Sequence, residues 1–136
     1  MIDELKNYFI KHVTLTNEFI NILADFLNEE VTSYSIEPIP TDYILKQYRD
    51  GGSLRQLVFN FTSREYYDNS VAQNIENLDF YEKFQEEIET NNKNGVLPKI
   101  KGIQSIECLN NGTIQSEENG TGKYAIQMRI TYTKEV

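Results

Sequence analysis

Apolar residues recur along this chain with two periods, and the points where the period changes divide it into elements. From Ile2 to Val13, Leu5, Tyr8, Phe9 and Val13 stand at helical spacing, and from Asn17 to Glu29 the residues Phe19, Ile20, Leu23, Phe26 and Leu27 repeat it. Two short helices joined at Thr14-Leu15-Thr16 are predicted, with apolar stripes broad enough to pack on a sheet. After Glu30 the period drops to two. Val31 to Ile39 predicts a strand ended by Pro38 and Pro40, since proline cannot donate to a sheet ladder and restricts the residue before it. Tyr43 to Arg49 and Leu54 to Thr62 then alternate on either side of Asp50-Gly51-Gly52-Ser53, with Leu57, Phe59 and Phe61 on the face to be buried. That pattern is a hairpin, because glycine tolerates the positive φ of tight turns and Asp-Gly is a strong hairpin signal.

The helical period returns after Ser70. Ser70 with Gln73, and Asp79 with Glu82, have the spacing of a capping box, which predicts two abutting helices or one broken near Asn77. Val71, Ile75, Leu78, Tyr81, Phe84 and Ile88 form one apolar stripe, while Glu82, Lys83, Glu86, Glu87 and Glu89 are expected in water. Asn92 to Gly95 should stop the helix, and Pro98 should prevent its resumption. Period two then resumes in Ile103 to Leu109, a turn at Asn110-Asn111-Gly112, and Thr113 to Ser116. A loop from Glu117 to Gly122 leads into Lys123 to Thr133, where Tyr124, Ile126, Met128, Ile130 and Tyr132 share one face; this strand is expected at the centre of the sheet. The 136 residues suit one α+β domain, with an antiparallel or mixed sheet packed against helices and residues 1–31 as a helical N-terminal part.

Composition narrows the function. A net charge of -8 and a pI near 4.7 argue against a sequence-independent grip on nucleic acid, which depends on clustered Lys and Arg. No apolar run approaches the roughly 20 residues that span a bilayer, and Met1-Ile2-Asp3-Glu4 lacks a basic secretory start, so a soluble, cytosolic chain without a membrane partner is expected. The single cysteine, Cys108, lies in an alternating apolar segment and is expected as a small buried hydrophobe. Glycosylation-like triplets at Asn60, Asn111 and Asn119 carry no weight without a secretory route.

Catalytic chemistry finds little to work with. His12 is the only histidine and reads as a surface or helix-end residue, while no Cys or His pair has metal-ligand spacing. Gly51-Gly52-Ser53 lacks the flanking spacing and lysine of a phosphate-binding loop, and the paired acids Glu29-Glu30 and Glu117-Glu118 fit no calcium-loop pattern. No nucleophile, base and orienter occur together, so no enzyme, metal or cofactor is expected.

The run Tyr48-Arg49-Asp50-Gly51-Gly52-Ser53-Leu54-Arg55-Gln56 is the most distinctive stretch. Together with Ser33 to Pro40, Gln73 to Asn77 and Phe80 to Phe84, it resembles the tail terminator proteins of long-tailed bacteriophages, often labelled minor capsid protein. The resemblance covers about residues 32–136. Some proteins of this kind carry a chloramphenicol-resistance label, but the acetyltransferases of that name have aspartate four places after the histidine, and here Thr16 follows His12.

The resemblance implies a structural virion protein. Such proteins form a ring, typically a hexamer, at the head-proximal end of the tail tube, assembled in the host cytoplasm. They stop tube polymerisation and offer the surface that meets the head-completion protein, while DNA passes through without specific binding. A head-completion or connector ring of the neck is the nearer alternative, and a small enzyme of unknown substrate the more distant one. The candidate subunit or tube contacts are Asp50, Gly51, Gly52 and Ser53 with the flanking Arg49 and Arg55, and the loop carrying Glu117 and Glu118. Each guanidinium can make paired hydrogen bonds to a neighbour's carboxylate, although both segments also read as plain turns.

Overall fold

The computed structural model describes residues 1–12, 22–24, 33–66, 71–118 and 121–136. Its elements are α1 (Ile2–His12), β1 (Ile22–Ala24), β2 (Ser33–Ile39), β3 (Ile44–Gln47), β4 (Ser53–Tyr66), α2 (Val71–Lys93), β5 (Ile103–Cys108), β6 (Thr113–Glu118) and β7 (Thr121–Lys134). The fold is α+β, with a mixed sheet in the order β1-β2-β4-β7-β5 in which only the β1–β2 pair is parallel.

The two 14-residue strands are the frame. β4 and β7 pair antiparallel without a break from Ser53 opposite Lys134 to Tyr66 opposite Thr121. Each then carries two shorter strands end to end on its outer side: β2 and β3 on β4, β5 and β6 on β7. Alternation puts Phe59, Phe61, Tyr124, Ile126, Met128 and Ile130 on one face, all buried. Both helices lie there. Phe9 of α1 sits 4.7 Å from the Phe61 ring and 6.0 Å from that of Phe84 on α2, and Phe61 stacks on Phe84 at 4.8 Å. Such pairs add about 0.5–1.5 kcal/mol each beyond the area they bury.

Hydrogen bonds tie α1 to the end of α2. The Tyr8 hydroxyl donates to the Val96 carbonyl at 2.9 Å, while Asn91 Nδ2 donates to the Tyr8 hydroxyl at 3.2 Å and to the His12 carbonyl, the last of α1, at 3.0 Å. The expected stop of α2 is present. Gly95 has φ +74°, and the bonds from Val96 N to Asn91 O and from Gly95 N to Asn92 O close its C-terminus. Asn92 Oδ1 then accepts from the Ile106 amide at 3.0 Å, joining the helix end to β5.

Four sequence expectations are corrected. Residues 22–24, placed in a second helix over Asn17 to Glu29, form β1, because the edge of β2 from Tyr34 to Ile36 offers a parallel partner for Ile22-Leu23-Ala24; the rest of that helix lies outside the described residues. Val71–Lys93 is one continuous helix, neither two abutting helices nor one broken near Asn77. Asp79 does not cap it but pairs with Lys83 one turn on, at 3.2 Å. Pro38 is inside β2 opposite Phe59 instead of ending the strand, which stops at Ile39 before Pro40. Glu117 and Glu118 belong to β6, opposite Gly122 and Thr121, and only residues 119 and 120 are left between strands.

Because Phe9 fills the gap between the sheet and α2, Phe9→Ala should lower the unfolding free energy by about 3–5 kcal/mol in urea titration. The exposed Lys11→Ala on the same helix should stay within about 0.5 kcal/mol of the parent. Equal effects would mean that α1 does not share the core.

Candidate interaction surface

The hairpin corner is narrower than the Asp50 to Ser53 turn expected. Gly51 N donates to the Tyr48 carbonyl and Tyr48 N to the Gly52 carbonyl, so the corner residues are Arg49, Asp50 and Gly51. Gly51, at φ +90°, completes the reversal, and Asp50 Oδ1 accepts from the Gly52 amide at 2.9 Å. Gly52 and Ser53 are buried, with Ser53 already paired to Gln47 and Lys134. They brace the corner, whose exposed residues are Arg49, Asp50 and Gly51.

The two arginines have different roles. Arg49 is exposed. Arg55 is half-buried, donates from Nε to Ser53 Oγ at 2.9 Å and lies 5.3 Å from the centre of the Tyr43 ring. Its guanidinium therefore also helps to hold the hairpin together. Glu117 and Glu118 pair at the Thr121 end of β7, whereas the hairpin corner lies at the Lys134 end. A strand rise near 3.3 Å puts the two patches on the order of 40 Å apart, so they cannot act as one contact.

The pattern concealed a row of exposed apolar side chains. Tyr43 is 57% exposed, Leu45 44% and Tyr48 40%; Leu45 is in β3 and the two tyrosines flank its ends, and among the described residues β3 pairs only with β4. The β3–β4 register shifts between Ile44 and Lys46, leaving Leu45 as the extra residue of a bulge. Lys46 Nζ lies 5.6 Å from the Tyr48 ring. The available clue was that Tyr43, Leu45 and Gln47 alternate with Ile44, Lys46 and Tyr48, so neither face of the strand is clearly polar.

The face of the sheet opposite the two described helices carries buried Val58 and Ala125 together with polar pairs. Glu37 accepts from Ser35 and Thr62 and pairs with Lys123 at 3.4 Å, Arg129 donates from Nε to Glu107 at 2.7 Å, and Ser105 bonds Thr131. No group of three His, Cys, Asp or Glu side chains among the described residues is placed to hold a metal ion, and no described helix is long and apolar enough to cross a membrane. His12 is exposed at the end of α1, 5.8 Å from the Tyr8 ring. Burial, reinforced by the charges of Glu89 and Glu107, pushes the Cys108 thiol up to about 12, which makes it a poor nucleophile near neutrality. No protein-family model matches the chain, and no curated protein sequence matches it.

Arg55→Ala should cost about 1 kcal/mol of stability, the scale of a lost hydrogen bond and ring contact, whereas Arg49→Ala should change it by less than about 0.5 kcal/mol. Urea titration of both variants checks this, and equal losses would place Arg49 in the packing too. Alkali gives a second test. Cys108 is raised from 9.0 and Tyr8 from 10.0, each to about 12, Tyr8 chiefly by burial. The folded state prefers both groups protonated, so their contribution is complete below about pH 9 and is lost as pH rises towards about 12. Unfolding free energy should fall across that window, and Cys108→Ala should delay the onset by about one pH unit, the difference between the two ordinary values. A flat profile would place both groups in water.

Proposed function

We propose that this protein is a ring-forming structural protein that caps the head-proximal end of a phage tail tube, ends tube polymerisation and presents the surface that meets the head-completion protein. The observation that carries the reading is the exposed apolar edge of β3. A soluble protein gains by burying such an edge, and adding a strand to it is a common mode of protein recognition. An edge of four residues is too short to template open-ended stacking by itself, yet it can seat on the end of a preformed assembly. The resemblance carried by residues 33–40, 48–56, 73–77 and 80–84 together supplies the identity of that assembly, the tail tube.

Charge is consistent with a channel that lets DNA pass. Lys123 and Arg129, on the face of the sheet opposite the described helices, are each paired with a carboxylate, and the chain as a whole is acidic. Cations already held by carboxylates have little to release counterions from phosphate, which suits a channel that lets duplex DNA pass. Nothing in this account calls for a cofactor or a catalytic step. A closed ring, expected as a hexamer, requires two different patches that meet head to tail.

Added protein should cap purified tail tubes at one end in electron micrographs and limit their length during assembly. Replacing Leu45 and Tyr48 together by Ser should abolish capping without lowering the melting temperature, since both side chains are exposed. Tubes that reach normal length in the absence of the protein would overturn the reading. Binding to filled heads that lack tails would instead favour a connector ring of the neck.

A further inference from the structure

Two grooves of about 470 Å³ each lie outside the hairpin corner and carry opposite charge. The first opens where β4 begins and β7 ends. Arg55, Lys101 and Lys134 line it with Ile100 and Tyr132, and Glu135 is its only acidic side chain. In a chain with 21 acidic and 13 basic residues this is a local inversion of sign, and none of the three cations has an ion-pair partner among the described residues. The second groove runs along α2 beside Asn111 and Gly112. Glu82, Glu86 and Glu89 line it with Leu78 and no cation, and they are likewise without ion pairs among the described residues.

Spacing makes the acidic side a ridge. Positions 82, 86 and 89 follow the i, i+4, i+7 stripe of a helix, three carboxylates along about 10 Å of one exposed face. Each surface pays an electrostatic cost alone, since like charges stand close together on it. Bringing the surfaces together removes both costs, with a small apolar contact from Leu78 against Ile100 and Tyr132. One copy cannot do this for itself, because the basic groove is at the sheet end and the ridge is on the outer side of α2.

We propose that these surfaces are the two halves of one contact between copies of this chain, the acidic ridge of α2 in one subunit entering the basic groove of the next. Two different patches meeting in this way form a heterologous interface, which closes into a ring when the rotation per subunit is right. The inference rests on the ring reading and adds to it the subunit contact, leaving the β3 edge free for the tube. Charge complementarity of this kind chiefly sets partner choice and register.

The test uses two reversed variants, Lys101→Glu with Lys134→Glu, and Glu82→Lys with Glu86→Lys, all at exposed positions. Sedimentation velocity should show wild-type rings and each variant alone as monomer, with unchanged melting temperatures. Mixed one to one, the variants should recover rings, because each reversed surface then meets its opposite, and the subunits must alternate, giving an even number. Wild-type protein that stays monomeric, either variant assembling alone, or a mixture that stays monomeric overturns the proposal. If a reversed variant unfolds, Lys101→Gln with Lys134→Gln replaces it and must weaken assembly. A groove variant that still forms rings but fails to cap tubes would assign the groove to the tube protein and overturn the self-contact. Rings that form as expected but never bind tubes would leave this contact standing and overturn the terminator reading instead.

Discussion

The uninterrupted ladder between β4 and β7 is the constraint on which the rest of the structure depends. Fourteen consecutive residue pairs make a ribbon longer than either helix, and its two faces take different roles. One receives the aromatic cluster of Phe9, Phe61 and Phe84 and with it both helices. The other is left to polar pairs such as Glu37 with Lys123 and Glu107 with Arg129. Shorter strands fill the two outer sides in pieces, since a break in the chain after Ile39 or Cys108 costs only a local loss of pairing.

The ends of this ribbon are where surfaces suited to partners occur. At the Ser53 end, β3 continues along β4 with Tyr43, Leu45 and Tyr48 exposed. Arg55 shows how the hairpin is kept rigid there: its guanidinium bonds Ser53 and lies on Tyr43, so the corner can present a fixed shape. The same end of the sheet carries the basic groove, while the acidic ridge belongs to the side of α2 that faces away from the core. Stability and interaction are thus divided between residues that scarcely overlap.

Much of the architecture was legible in the sequence because burial on one face imposes a period. The face of β7 from Tyr124 to Tyr132, the stripe of α2 through Tyr81, Phe84 and Ile88, and the Gly95 stop all follow from local pattern. The misses share a cause: local signals that tertiary contacts overruled. Ile22-Leu23-Ala24 fits either period, and the neighbouring edge of β2 decided it. Asp79 looked like a cap until a continuous apolar stripe carried the helix through it. The candidate surface was half legible. Glycines marked the corner, but a turn motif does not reveal that Gly52 and Ser53 would be buried, that Arg55 would turn inward, or that β6 would run on through Glu118.

The central proposal is that the edge of β3, unpaired among the described residues, is what this protein offers to a larger assembly. Amide hydrogen exchange of the protein alone and with purified tail tubes addresses it directly. The account predicts that amides in residues 44–47 that are not bonded to β4 exchange quickly in the free protein and become protected when tubes are present, while the β4–β7 ladder is slow in both. Protein that caps tubes with the exchange of β3 unchanged would contradict it.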